Sequence, residues 1–64
     1  MKDYQQRVID EKDELDGKLE KLNNFIDSDG YDSIEDGRDK DLLDEQLQAM
    51  SDYSDILGKR IDRF

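Results

Sequence analysis

Apolar residues recur at Tyr4, Val8, Leu15, Leu19, Leu22 and Ile26, with Phe25 alongside. Steps of three, four and seven trace one face of a helix and predict an α-helix over residues 3–27. Asp3 is placed to cap it. Gly17 is the weak helix former inside it, costing about 1 kcal/mol against alanine. A second stripe runs through Leu43, Met50, Leu57 and Phe64 at intervals of seven, widened by Leu42, Leu47, Tyr53, Ile56 and Ile61. It predicts a second helix over residues 39–63 with Asp39 as its N-cap. Between them, SDGYDSIEDGR at 28–38 carries two glycines among serines and aspartates, which is turn chemistry. Tyr31 and Ile34, three apart, predict one short helical turn that closes the tip.

The expected fold is therefore all-α: an antiparallel two-helix hairpin with a short helical turn at its tip, residues 1–64 forming a single domain. Seven-residue spacing in both helices suits near-antiparallel packing. So short a connection makes the helices neighbours. The absence of proline permits helices of this length.

Length changes this picture. A 64-residue chain buries a small fraction of its surface and is marginal unless a disulfide, a metal or a partner copy supports it. There is no cysteine and no histidine, which removes disulfides and the common zinc sites. Assembly into a helical homo-oligomer is the remedy left.

Charge changes it again. Of the residues 45% are charged and the net charge is −9, a balance that disfavours polymeric nucleic acid and anionic membrane as partners. No apolar run approaches membrane-spanning length, and no secretory leader pattern is present. Residues 27–45 carry nine acids and two bases, whereas residues 46–64 carry three of each. The tip is strongly acidic. The open end gathers Lys2, Arg7, Lys59, Arg60 and Arg63, so an anionic ligand would prefer it.

Candidate chemistry is sparse. An EF-hand loop needs oxygen ligands at positions 1, 3, 5 and 12 and glycine at 6. Starting at Asp32 puts Ile34 third and Leu43 twelfth, and making Gly30 sixth puts Phe25 first, so both registers fail. No metal or cofactor is expected. Common nucleophile–base pairs are missing without cysteine and histidine, and a thin hairpin offers little dry volume for shifting a carboxyl pKa. The chain is not expected to be an enzyme.

The first stripe is interrupted by polar residues. Between Val8 and Leu15, the positions that periodicity assigns to the apolar face are Glu11 and Lys12. On the other helix Gln46, Tyr53 and Arg60 repeat every seven residues along one edge. A turn near residue 33 brings Lys12 level with Tyr53. Two readings stand. One is a Glu11–Lys12 network between the helices that fixes register, because charge at an interface is costly unless paired. The other is a ligand pocket at a subunit junction, where Tyr4, Arg7, Lys12, Tyr53 and Arg60 meet phosphate and stack on a base.

The stretch DYQQRVIDEKDELDGKLEKLNNFI, a short SDGY turn and LLDEQLQAMSDYSDILGKRI together resemble a small phage helical-hairpin family related to crAssphage proteins. The likeness covers residues 3–61 and follows the pattern YxxRVxxEKxELxxKxxKLxxFI, then LLxxQxxAMxxYxxILxxRI. This family is similar to the anti-CBASS and Thoeris anti-defence sponges, which assemble as oligomers, often hexamers. Those proteins sequester cyclic nucleotide or cyclic ADP-ribose signals without cleaving them. The resemblance implies a non-enzymatic sponge in the cytoplasm of an infected bacterial host, with a cyclic nucleotide signalling molecule as its partner. Tyr4, Arg7 and Lys12 are the matches in type and place to the residues that hold base and phosphate. An alternative from another class is an oligomeric interaction module that docks its stripe on a host or phage protein.

Overall fold

The computed structural model describes residues 2–64, and those residues form three helices and no strand. The first helix, α1, runs Asp3–Ile26 and the last, α3, runs Gly37–Asp62. Between them a single turn, α2, runs Asp29–Asp32. The chain folds back on itself: Tyr4 meets Phe64, Glu11 meets Tyr53, and Leu19 lies across from Leu47. The pairing is antiparallel, as the periodicity implied. The molecule measures 47 × 15 × 13 Å and has a radius of gyration of 14.7 Å. A compact globule of this length would reach about 11 Å.

α1 begins at the expected residue and the other helix ends differ by one or two residues, for identifiable reasons. Lys2, not Asp3, holds the N-cap position of α1, and its backbone N–H donates to the Gln5 side chain at 3.0 Å. Asp3 is the first helical residue, where a negative charge favours the helix dipole. α1 ends at Ile26 because the Asp27 N–H still finds Asn23 O while the Ser28 hydroxyl turns back to Phe25 O. Asp36, not Asp39, caps α3; its carboxylate accepts from the Arg38 N–H at 2.9 Å. The Asp36–Gly37 pair had the signature of a turn. It is instead a cap followed by the first helical residue, and α3 starts two residues earlier than expected.

The tip closes on Tyr31. Its hydroxyl donates to Asp44 at 3.2–3.3 Å, and Lys40 Nζ lies 5.2 Å from the ring centroid. Gly30 sits in a close approach: a Cβ there would meet Phe25 Cε2 at 3.1 Å, so the ring would have to give way slightly. Ile34 is half-buried just beyond α2, so the helical turn holds Tyr31 and the loop after it holds Ile34.

The core is thin. Val8, Leu15 and Leu57 are its buried apolar residues among those described, with Leu19, Met50 and Ile61 packed against them. Leu57, at 0% exposure, is the centre. Leu57→Ala should therefore cost about 2–5 kcal/mol, read from urea denaturation followed by circular dichroism. Gly17→Ala meets nothing within 4 Å and should add about 1 kcal/mol. A Leu57→Ala cost no larger than the Gly17→Ala gain would show that this seam is not what holds the helices together.

Candidate functional site

The two helices meet along heptad seams. In α1 the seam is Val8, Lys12, Leu15, Leu19, Leu22 and Ile26; in α3 it is Leu43, Leu47, Met50, Ser54, Leu57 and Ile61. Each seam has one polar member, and the two face each other. Lys12 Nζ donates to Ser54 Oγ across the interface at 3.0 Å and to Asp16 Oδ2 one turn along α1 at 2.7 Å. Ser54 Oγ donates in turn to the other oxygen of Asp16. Lys12, Ser54 and Asp16 thus form a closed ring. Ser54 is buried, and no buried side-chain polar atom among the described residues lacks a partner. A charge beside a core is tolerable on that condition.

The ring sets the electrostatics. The Lys12 ammonium and the Ser54 hydroxyl, bonding to the carboxylate, hold Asp16 below the ordinary carboxylate range, against the opposing effect of burial. One edge of the seam carries a second crossing, where the Tyr53 hydroxyl donates to Glu11. That bond, with burial and the Glu11 charge, pushes the Tyr53 hydroxyl above its ordinary value, while Arg60 pulls the other way.

Of the five residues singled out in the sequence, the structure places four along this edge or at its open end. Tyr53 and Arg60 lie on α3, two turns apart, and both are exposed. Arg7 is exposed one turn before Glu11 on α1. Tyr4, at the open end, sets its ring edge-on against Phe64 with centroids 6.0 Å apart and an interplanar angle of 86°. Lys12 stands apart from them. Its ammonium is bonded within the seam and its side chain is 28% exposed, so it ties the two helices together while part of it still meets solvent. The interhelical network expected at Glu11 and Lys12 is present: on α3, Tyr53 donates to Glu11 and Ser54 accepts from Lys12.

The opposite edge holds an open groove of about 490 Å³ with Leu19 and Leu47 as apolar lining. Glu20, Asp44, Asn23, Gln48 and Ser51 supply its polar groups. Two carboxylates and no cation make it suited to a neutral or cationic hydrogen-bonding group and hostile to phosphate. None of the five sequence candidates lines it. No cluster of potential metal ligands occurs among the described residues, and no described helix is long and apolar enough to cross a membrane.

Asp16 and Ser54 escaped the sequence reading. A signal for each was present: Asp16 stands four residues after Lys12, within side-chain reach on a helix, and Ser54 fills the seam position between Met50 and Leu57.

A model of the Sequestin family matches residues 2–63 of the chain. No curated protein and no solved structure matches it.

Because the folded-state pKa of Asp16 is depressed, the ring's contribution is complete above the unfolded carboxyl value of about 3.9. It is lost as pH falls through the lower folded value. Carboxyl ¹³C shifts should give Asp16 a midpoint below that of a free aspartate, and Lys12→Met should raise it. An unshifted midpoint in the parent protein would mean that the ring does not persist in solution. Asp16→Asn should likewise make thermal stability fall less steeply with acid than in the parent.

Proposed function

The chain belongs to the Sequestin family, whose name denotes sequestration, and from that premise we propose that it is a phage-encoded sponge. It binds a cyclic nucleotide or cyclic ADP-ribose immune signal in the cytoplasm of the infected bacterium and holds it without cleaving it. The observation that supports this reading is the edge at the basic end of the hairpin. There two tyrosines and two arginines, Tyr4, Arg7, Tyr53 and Arg60, lie exposed. Arginine forks suit phosphate, and a tyrosine face suits a base. In this reading Arg7 and Arg60 neutralise phosphate, Tyr4 and Tyr53 flank the base, and Lys12 fixes the register that sets their spacing. The lack of cysteine and histidine fits binding in place of turnover. The thin core fits a sponge that works as a homo-oligomer.

An interaction module for a host or phage protein is the second reading. Exposed Leu42 and Ile56 on α3 favour it. A protein that co-purifies with the chain while no nucleotide does would support it over the sponge.

Isothermal titration against cyclic di- and trinucleotides and cyclic ADP-ribose isomers tests the sponge. At least one is expected to bind and to be recovered intact by chromatography. Arg60→Ala or Arg7→Ala removes a charge-assisted bond of about 1.5–3 kcal/mol, which weakens binding roughly 10- to 100-fold. No heat with any compound at micromolar protein would overturn the proposal, and a cleaved product would overturn its sponge character. Leu15→Ala should lose assembly and binding together.

A further inference from the structure

α3 carries a second stripe that the hairpin leaves uncovered. Leu42, Ala49 and Ile56 recur every seven residues, with Tyr53 beside them. Leu42 is 45%, Tyr53 43% and Ile56 54% exposed. None of these residues belongs to the core or its packed neighbours. Seven-residue spacing is what a second helix packing near-antiparallel requires.

Area and charge argue for what covers it. A compact monomer of 7.6 kDa exposes about 4,300 Å², and this chain exposes 4944 Å². The excess of about 640 Å² belongs to the slender shape as a whole, and a partner laid along α3 would cover part of it. Charge runs unevenly along α3. Residues 36–45 hold five acids and two bases, and residues 54–64 hold two acids and three bases. Parallel copies would set acid against acid. Antiparallel copies set the acidic half of each against the basic half of the other.

We infer that a second copy of this chain covers the stripe, with the two α3 helices antiparallel and the two-fold axis at Ala49. Isologous pairing of this kind is the commonest route to a homo-oligomer. In this register Leu42 faces Ile56 of the second copy, Asp39 faces its Lys59 and Glu35 faces its Arg63. Ala49, small and central, lets the backbones approach. Besides Asp36 and Asp62, which also come level, Arg38 faces Arg60 of the second copy as a like-charge pair. That pair flanks Tyr53, so the second copy adds a cation to the edge assigned above to phosphate. The inference rests on the self-assembly part of that proposal and is independent of the ligand.

Because the chain has no cysteine, one cysteine reports on the axis. Ala49→Cys is expected to give a disulfide-linked dimer in high yield on mild oxidation, since a residue on a two-fold axis meets its own copy. Glu14→Cys, on the exposed outer face of α1, is the control and should stay uncrosslinked. In sedimentation equilibrium, Ile56→Glu should weaken assembly at least tenfold with helicity retained, because Ile56 contributes little to the hairpin core. Arg38→Glu should strengthen assembly several-fold by facing Arg60 of the second copy, and Arg38→Glu with Arg60→Glu should lose that gain. An oligomer that survives Ile56→Glu, with no crosslink at position 49, overturns this interface and leaves self-assembly standing. A parent chain that is monomeric at high concentration overturns both. A pure chain that is monomeric yet binds a different protein through Ile56 assigns the stripe to that protein, which also overturns the inference. A lost crosslink with nucleotide binding intact separates failure here from failure of the sponge.

Discussion

A lysine ammonium held between two helices sets the register of this hairpin. Lys12 occupies a seam position that apolar packing would otherwise claim, and it finds Ser54 across the interface and Asp16 one turn along. The ring that results has directional requirements that leucine packing lacks. Sliding α3 by one turn would leave Lys12 against an apolar side chain and the buried Ser54 hydroxyl without its acceptor, a loss of about 1–3 kcal/mol for the hydroxyl and less for the part-exposed lysine. In a molecule with three buried apolar residues among those described, a penalty of that size decides the pairing. The polar crossing contributes specificity while the leucines on either side contribute adhesion.

Both edges of the seam inherit their composition from that register. On one edge, Tyr53 reaches Glu11 and stands near Arg60, and the open end beyond it collects Tyr4 and Arg7. On the other edge, Glu20 and Asp44 border a groove without a cation. The two faces differ in sign although both come from the same pair of helices. The first edge offers cations to an anion and the second offers none. The acidic tip strengthens that asymmetry along the long axis, so the basic end is the part of the surface least hostile to phosphate.

The slender shape has a cost in exposed apolar area. Two helices touching along one line bury one stripe each, and α3 carries two. The seam with Leu57 is satisfied within the chain; the face with Leu42 and Ile56 is not. Tyr53 and Arg60 stand between those two faces. Any protein that covers the outer stripe therefore borders the edge that carries Tyr53 and Arg60.

The sequence alone determined the helices, their antiparallel order and the charge gradient, because each depends on spacing along the chain. Val8, Leu15 and Leu57 were legible as core from steps of three, four and seven. The place of the interruption at Glu11 and Lys12 was legible too. Tertiary structure decided what the interruption meets. Spacing puts Ser54 on the seam, but its partner is unknown until α3 is laid against α1, and Asp16 reads as one carboxylate among many until Lys12 turns toward it. The same holds for Gly30, whose missing side chain matters because the Phe25 ring lies 3.1 Å from where its Cβ would be. The cap at Asp36 also depended on the fold, since Asp36 and Asp39 are equivalent cap candidates by type, and Asp36 is the one whose carboxylate reaches the Arg38 N–H. Periodicity fixes which face of a helix is buried. The length and conformation of the tip fix which residues of two such faces come level, and that set Lys12 opposite Ser54.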